Sequence, residues 1–394
     1  MLSDKKGVTG LLKQTLPYLI STHCCSHRLN LGVSDTWKAD VNLQRINKLI
    51  FKLCKIFMNS TNNMKILHAQ EEIYLDLQNQ LSLIEPIDIR WISKFSATNR
   101  VLQLYPAIVH SLLGMKAEYF PLIIELKSFE TLGHLYIISD LSLILESLIK
   151  EFQKQNISFR ELKIAIVLAK STLNGHIQEN TIGPQLQKFF KDLKENNYFH
   201  QGIKIKLSEG SEDFIKKKSV DIYKRVFDNL NDRFKDIDTL DLFQIFDLPL
   251  LKSLQPSSEK YKVYGNEHIR KLSEWFKIDY HVALKSWIHF RNLVLAYATE
   301  SDDQIFFNAL GRPEIKGISL MLETYQSLVL TTNECERAFS CYNNIHTDIR
   351  SSLNVQTIDE QMNIRINGSD LITFNFMPSI ENWKNRKCRT FIPL

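Results

Sequence analysis

Residues 333–353 read NECERAFSCYNNIHTDIRSSL, and the spacing of polar and apolar positions in this stretch decides how the chain is read. At 100° per residue, Ala338, Phe339, Tyr342, Ile345, Ile349 and Leu353 gather on one side of a helix. Glu336, Ser340, Asn343, Thr347 and Arg350 gather on the other, so Glu336 points away from the apolar stripe. By spacing alone, that is a solvated helical face backed by a core-facing one. Apolar positions at Ile358, Met362, Ile364 and Ile366 carry the pattern on toward the C-terminus.

Outward from this stretch, the helical period recurs along most of the chain. Only 13 glycines and 10 prolines occur in 394 residues, which excludes collagen-like and turn-dense all-β classes and predicts a mainly α protein. With 44% of residues hydrophobic, the chain can bury the core of two or three domain-sized units. From Val41 to Met58 the apolar positions Leu43, Ile46, Leu49, Ile50, Leu53, Ile56 and Phe57 fall at helical spacing. A further helix is predicted over 69–82, and a stripe from Val101 to Leu113 continues despite Pro106. Helices over 118–130, 132–153, 159–174 and 178–194 complete a contiguous all-α block. A link over 196–217 precedes helices at 218–235, 266–276, 279–299 and 314–331.

One corner has α/β character. Residues 5–19 predict a short amphipathic helix that Pro17 ends, and LISTHCC at 19–25 reads as a short strand feeding a helix at HRLNLGVSD. The most apolar run, LYIISDLSLILESLI at 135–149, is interrupted by Asp140 and Glu146 and reads as a buried helix, so no membrane partner is expected. Six cysteines without a secretory leader predict a reduced, intracellular protein. The net charge of +5 permits a local basic groove without requiring one. Short basic clusters occur at Lys216, Lys217 and Lys218, and at Lys384, Arg386, Lys387 and Arg389.

Three local signals bear on chemistry. Cys24 and His27 form a Cys-x-x-His pair, but zinc needs a second such pair and none is visible, so packing is the favoured reading. Arg90 and Trp91 stand before a helix, where an exposed indole stacks on an unpaired base while the guanidinium meets phosphate. The competing reading of Trp91 is a core anchor. Metal-dependent phosphoryl transfer needs several carboxylates, because two cations about 4 Å apart must be held by oxygen ligands. The acids available are Glu336 and, in the N-terminal part, Asp4, Asp35, Asp40 and Asp88, none of them on a strand. Walker-type loops, Gly-x-Ser-x-Gly elbows and His-Glu-x-x-His helices do not occur. The residues by themselves display no complete active site.

HCCSHRLNLGVSD at 23–35, IRWISKF at 89–95 and NECERAFS at 333–340 occur in an order that resembles the hAT transposase superfamily, in particular its domesticated, zinc-finger-associated relatives. MNIRINGSDL at 362–371 and FMPSIENWKN at 376–385 resemble the tail of that family. The resemblance implies an RNase H-like α/β fold split by a large all-α insertion, here incomplete. Residues 1–40 would be a remnant of the RNase H-like domain, 41–299 the insertion, and 300–394 the hAT C-terminal dimerisation region. By the same resemblance Glu336 is a relic of the last acid of an Asp-Asp-Glu triad, and Cys24 with His27 is the family's Cys-x-x-His motif. Arg90 and Trp91 become the DNA-contacting pair, and Arg337, Phe339, Tyr342, Ile345 and Ile349 part of the dimerisation region.

The partner aspartates would precede Met1, which implies an N-terminally truncated and catalytically inactive protein. No cofactor is expected, Mg or Mn belonging only to a full-length active homologue. The expected partners are a second copy or a related transposase-like protein, and DNA, in the nucleus. The alternatives are an active cut-and-paste transposase with a missing N-terminus, and an unrelated all-α interaction scaffold.

Overall fold

A computed structural model describes residues 7–16, 19–75, 79–87, 91–154, 157–368 and 374–386. The chain forms two compact units, Met1–Thr331 and Thr332–Leu394. The first begins with α1 (Val8–Thr15), α2 (Cys25–Ala39), α3 (Val41–Met58), α4 (Thr61–Tyr74), α5 (Trp91–Gln103) and α6 (Tyr105–Leu113). Next come α7 (Phe120–Leu126), α8 (Phe129–Phe152), α9 (Phe159–Gln178) and α10 (Pro184–Glu195), then a hairpin of β1 (Phe199–His200) and β2 (Ile203–Lys204). The unit closes with α11 (Ser211–Arg233), α12 (Ile237–Asp241), α13 (Leu248–Lys252), α14 (Glu259–Val263), α15 (Asn266–Phe276), α16 (Tyr280–Ala296), α17 (Asp302–Leu310) and α18 (Ser319–Ser327). The second unit holds α19 (Asn333–Ile345), α20 (Val355–Asn367) and α21 (Met377–Arg386).

The protein is mainly α, at 76% helix, and its only sheet among the described residues is that antiparallel hairpin. The RNase H-like sheet implied by the resemblance is not among the described elements. LISTHCC forms no strand: residues 19–24 are irregular and α2 starts at Cys25. A lone strand leaves its backbone groups unpaired, and only single contacts reach a neighbour here, such as Cys25 N–H to the Leu330 carbonyl at 2.9 Å.

The first core is organised around α8, against which α2, α3, α5, α7, α9, α10 and α11 pack. Ile137, Leu141, Leu145 and Leu148 of α8 are fully buried. By length and composition the helix could cross a bilayer, yet 56% of its most apolar stretch is buried in the protein. A second core runs from Phe243 to Leu322 and centres on α16, where Phe246, Trp287 and Phe290 pack edge-on or stacked. The Trp287 indole N–H donates to the Tyr264 carbonyl at 2.9 Å. Its ring lies where a side chain at Gly265 would sit, and Gly265 has φ +77°, so glycine is required there on two grounds.

Several helix limits differ from those the period predicts, each for a local reason. The helix expected over 69–82 is α4, which starts at Thr61 where the Ser60 hydroxyl accepts the Asn63 N–H at 3.3 Å. It stops near Tyr74, and the buried Glu71 carboxylate takes the Leu81 N–H at 2.8 Å. Pro106 does not lie within one helix: it sits in the first turn of α6, where its missing N–H costs nothing. α9 runs on to Gln178, Asn180 turns into the left-handed region at φ +52°, and α10 starts anew at Pro184. Lys216, Lys217 and Lys218 belong to α11, which starts seven residues earlier than expected, at Ser211 after Gly210 with φ +75°.

α8 also supplies a polar contact. Asp140, fully buried on it, accepts the backbone N–H groups of Gln185 at 2.7 Å and Leu186 at 3.0 Å, and so caps α10 from another helix. A Cβ on Gly183 would overlap this carboxylate. Burial pushes the Asp140 carboxyl up from 3.8 to about 6, against the two N–H bonds that lower it. Between those values the folded protein holds a proton that the unfolded chain has released. The stability contributed by this group therefore declines as pH rises through that window. Asp140→Ala is expected to remove that slope and, at neutral pH, to cost about 1–3 kcal/mol by orphaning buried N–H groups. Urea unfolding of wild type and variant across acidic and neutral pH measures both effects.

Candidate functional site

The three motif regions are placed in different local settings. α2, which carries most of the first, is locked onto α11 by Arg28. The Arg28 Nε donates to the Arg233 carbonyl at 2.6 Å, its two terminal nitrogens engage the Asp236 carboxylate, and its guanidinium covers the Phe234 ring at 4.5 Å. Asn229 of α11 donates to the Gly32 carbonyl at 3.0 Å and to the Thr36 hydroxyl at 2.9 Å. Cys24 is buried at the start of this helix, whereas His27 is exposed and packs edge-on to His23, with ring centres 4.7 Å apart. The Cys-x-x-His pair thus divides between core and surface. Burial also pushes the neighbouring Cys25 thiol up to about 12, away from the thiolate a metal ligand requires.

The N-terminal acids serve the fold where they are described. Asp35 pairs with Arg233 at 2.6 Å. Asp40 is buried and caps α3, accepting the N–H groups of Asn42 at 2.9 Å and Leu43 at 3.2 Å. Asp4, Asp88 and Arg90 lie outside the described residues, and Trp91 is described only as the first residue of α5. Among the described residues, no three His, Cys, Asp or Glu side chains converge into a cation site.

α19 carries Glu336 and Arg337, both exposed. Phe339 is 64% exposed and Tyr342 is also at the surface, stacked on His346 with ring centres 5.4 Å apart. Ile345 is fully buried and Ile349 is 96% exposed. The apolar stripe predicted from 338 to 353 therefore does not share one helix. The chain leaves the helix at His346, turns through Asp348–Arg350, and restarts where the Asn354 side chain accepts the Thr357 N–H at 2.8 Å. α20 then folds back onto α19, and Ile345 and Ile358 are the buried residues of this unit among those described.

A partly buried polar array around His200 in the first unit has no counterpart in the motifs of the sequence. His200 Nδ1 meets Asp192 Oδ2 at 2.5 Å, Nε2 meets the Tyr136 hydroxyl at 2.9 Å, and the ring packs edge-on to Phe189 at 5.1 Å. Burial lowers the His200 pKa, opposed by the Asp192 contact, and burial raises that of the Tyr136 phenol. The adjoining depression is lined by Asp192, Asn196, Asn197, Phe199, Gln201 and neighbours, but not by His200. The array ties α8, α10 and the hairpin together. The only available signal was a histidine eight residues after an aspartate, which is too common to read.

No protein-family model matches the chain, and no solved structure matches it.

Removing Arg28 would strand the Asp236 carboxylate and the Arg233 carbonyl, whereas the exposed Glu336 serves no packing. Arg28→Ala is expected to lower the unfolding free energy by about 2–4 kcal/mol. Glu336→Gln should leave the urea midpoint at the wild-type value.

Proposed function

We propose that this chain is a transposase-derived nuclear protein of hAT type that associates with DNA, self-associates through its C-terminal unit, and carries no strand-transfer chemistry of its own. The observation that carries the lineage is a contact between remote parts of the chain. Thr22 Oγ1 donates to the Val329 carbonyl at 3.5 Å across 307 residues, and the adjacent Cys25 N–H donates to the Leu330 carbonyl. The segment leading into the Cys-x-x-His motif thus adjoins the segment that leads into NECERAFS. That is the arrangement expected of a fold split by an insertion, with the helices between them as the inserted block and an RNase H-like domain at its margin.

Self-association rests on the composition of the second unit. Ile349, Val355 and Ile364 are 96%, 83% and 71% exposed, and Phe339, Phe376 and Met377 add further apolar surface to a segment with two buried residues described. Exposed apolar surface at this density favours a second copy or a related chain as cover. Strand transfer is not part of this proposal because the resemblance assigns this chain one triad acid, Glu336, and two-metal transfer needs several carboxylates. A second reading, an all-α interaction scaffold with no nucleic-acid role, draws on the 76% helix and on a hairpin as the only sheet among the described residues.

Light scattering at micromolar concentration should give a dimer or larger assembly, and the pair Phe339→Asp and Ile349→Asp a monomer with unchanged circular dichroism. A monomeric wild type removes the self-association. Trp91→Ala is expected to weaken binding to single-stranded or hairpin DNA by about 1–3 kcal/mol in a fluorescence titration. Wild-type protein that binds no DNA would leave the scaffold reading.

A further inference from the structure

α3 reads VNLQRINKLIFKLCKIFM, eighteen residues with four cations and no acid. Arg45, Lys48, Lys52 and Lys55 stand three, four and three residues apart, which confines them to about 80° of the helix circumference and lays them along about 15 Å. Their register is set from behind: Leu43, Ile46, Leu49, Ile50, Leu53 and Phe57 are buried, so the cationic face cannot rotate inward. Lys48, Lys52 and Lys55 are exposed.

Some cations of the fold are compensated by carboxylates, and three of this stripe are not. Lys194 and Arg270 are paired with carboxylates at 2.8 Å or less. Arg45, at the inner end of the stripe, is held by Thr131 at 3.5 Å and by Glu125 at 3.8 Å. Lys48, Lys52 and Lys55 have no carboxylate partner among the described residues, and the Lys55 ammonium lies 4.7 Å from the centre of the Phe51 ring. Phe51 is 37% exposed, an aromatic at the flank of the stripe beside Lys55.

We propose that this face of α3 is a phosphate-binding track for a nucleic-acid backbone, distinct from Arg90 and Trp91. An aligned row of uncompensated lysines gains affinity by releasing condensed counterions from a polyphosphate. Phe51 adds a surface on which a base can stack. An anionic membrane is the poorer fit, because the apolar face of α3 is consumed by the core and no broad apolar surface remains to enter a bilayer. α5, whose first residue is Trp91, packs against α3, so the track and the proposed base contact belong to one packed unit. For the choice of nucleic acid, the proposal rests on the DNA association proposed above.

The test uses the full chain, a fluorescein-labelled duplex oligonucleotide, the same oligonucleotide single-stranded, and phosphatidylserine-containing vesicles. The combined variant Lys48→Gln, Lys52→Gln and Lys55→Gln should lose about tenfold or more in affinity for nucleic acid and flatten the slope of log affinity against log salt by about 2–3. The variant Lys260→Gln, Lys262→Gln and Lys271→Gln makes the same change of net charge elsewhere and should bind like wild type. Lys48→Arg, Lys52→Arg and Lys55→Arg together should also retain binding, which guards against a folding defect. Equal loss in both glutamine variants, unchanged binding in the α3 variant, or binding to vesicles without binding to DNA overturns the track. An effect of Trp91→Ala with none from the α3 variant keeps the base contact and removes the track. The reverse result keeps the track and removes the base contact.

Discussion

The first unit depends on burying α8. A 24-residue helix with Ile137, Leu141, Leu145 and Leu148 fully buried cannot stand in water unless other helices cover it on several sides. Covering it fixes the neighbours: α9 and α11 along its length, α10 and α5 beside it, α2, α3 and α7 completing the shell. Burial also imposes a polar obligation, because Asp140 lies within the buried stretch. It is met by the free N–H groups of α10, which in turn demands that Gly183 lack a side chain. An apolar requirement at one helix thereby dictates a cap and a glycine some forty residues away.

The two units place their apolar residues in opposite ways. The first encloses most of them in two cores, while the second leaves most of its own at the surface around a small buried pair. Among the described residues no three potential metal ligands converge, and the partly buried array Asp192–His200–Tyr136 ties elements together. The two surfaces on which the proposals rest are the apolar exterior of the C-terminal unit and the cationic face of α3.

Helical periodicity was legible wherever one face packs on a single large core. The apolar positions of α3 fall where the spacing puts them, and the same holds for α8, α15 and α16. Periodicity failed where a boundary is set by a single polar or backbone event. Ser60 starts α4, Asn180 ends α9, and Asn354 starts α20, each through one hydrogen bond or one left-handed residue. Such events involve common residues, so their sequence signal is faint. The strand expected at LISTHCC illustrates a different limit, since strand propensity means little without a neighbouring strand to pair with.

The sequence by itself determined the helical class, the apolar faces and the order of the three motifs, because each depends only on residue type and spacing along the chain. Tertiary structure alone decided which charges are compensated and which motif residues face solvent. Asp35 and Asp40 could be judged as structural acids only once Arg233 and the start of α3 were seen beside them. Cys24 and His27 are three residues apart in sequence but occupy core and surface. Thr22 and Val329 are 307 residues apart and in contact. Proximity of that kind arises from the packing of whole helices, a many-body outcome that local spacing does not encode.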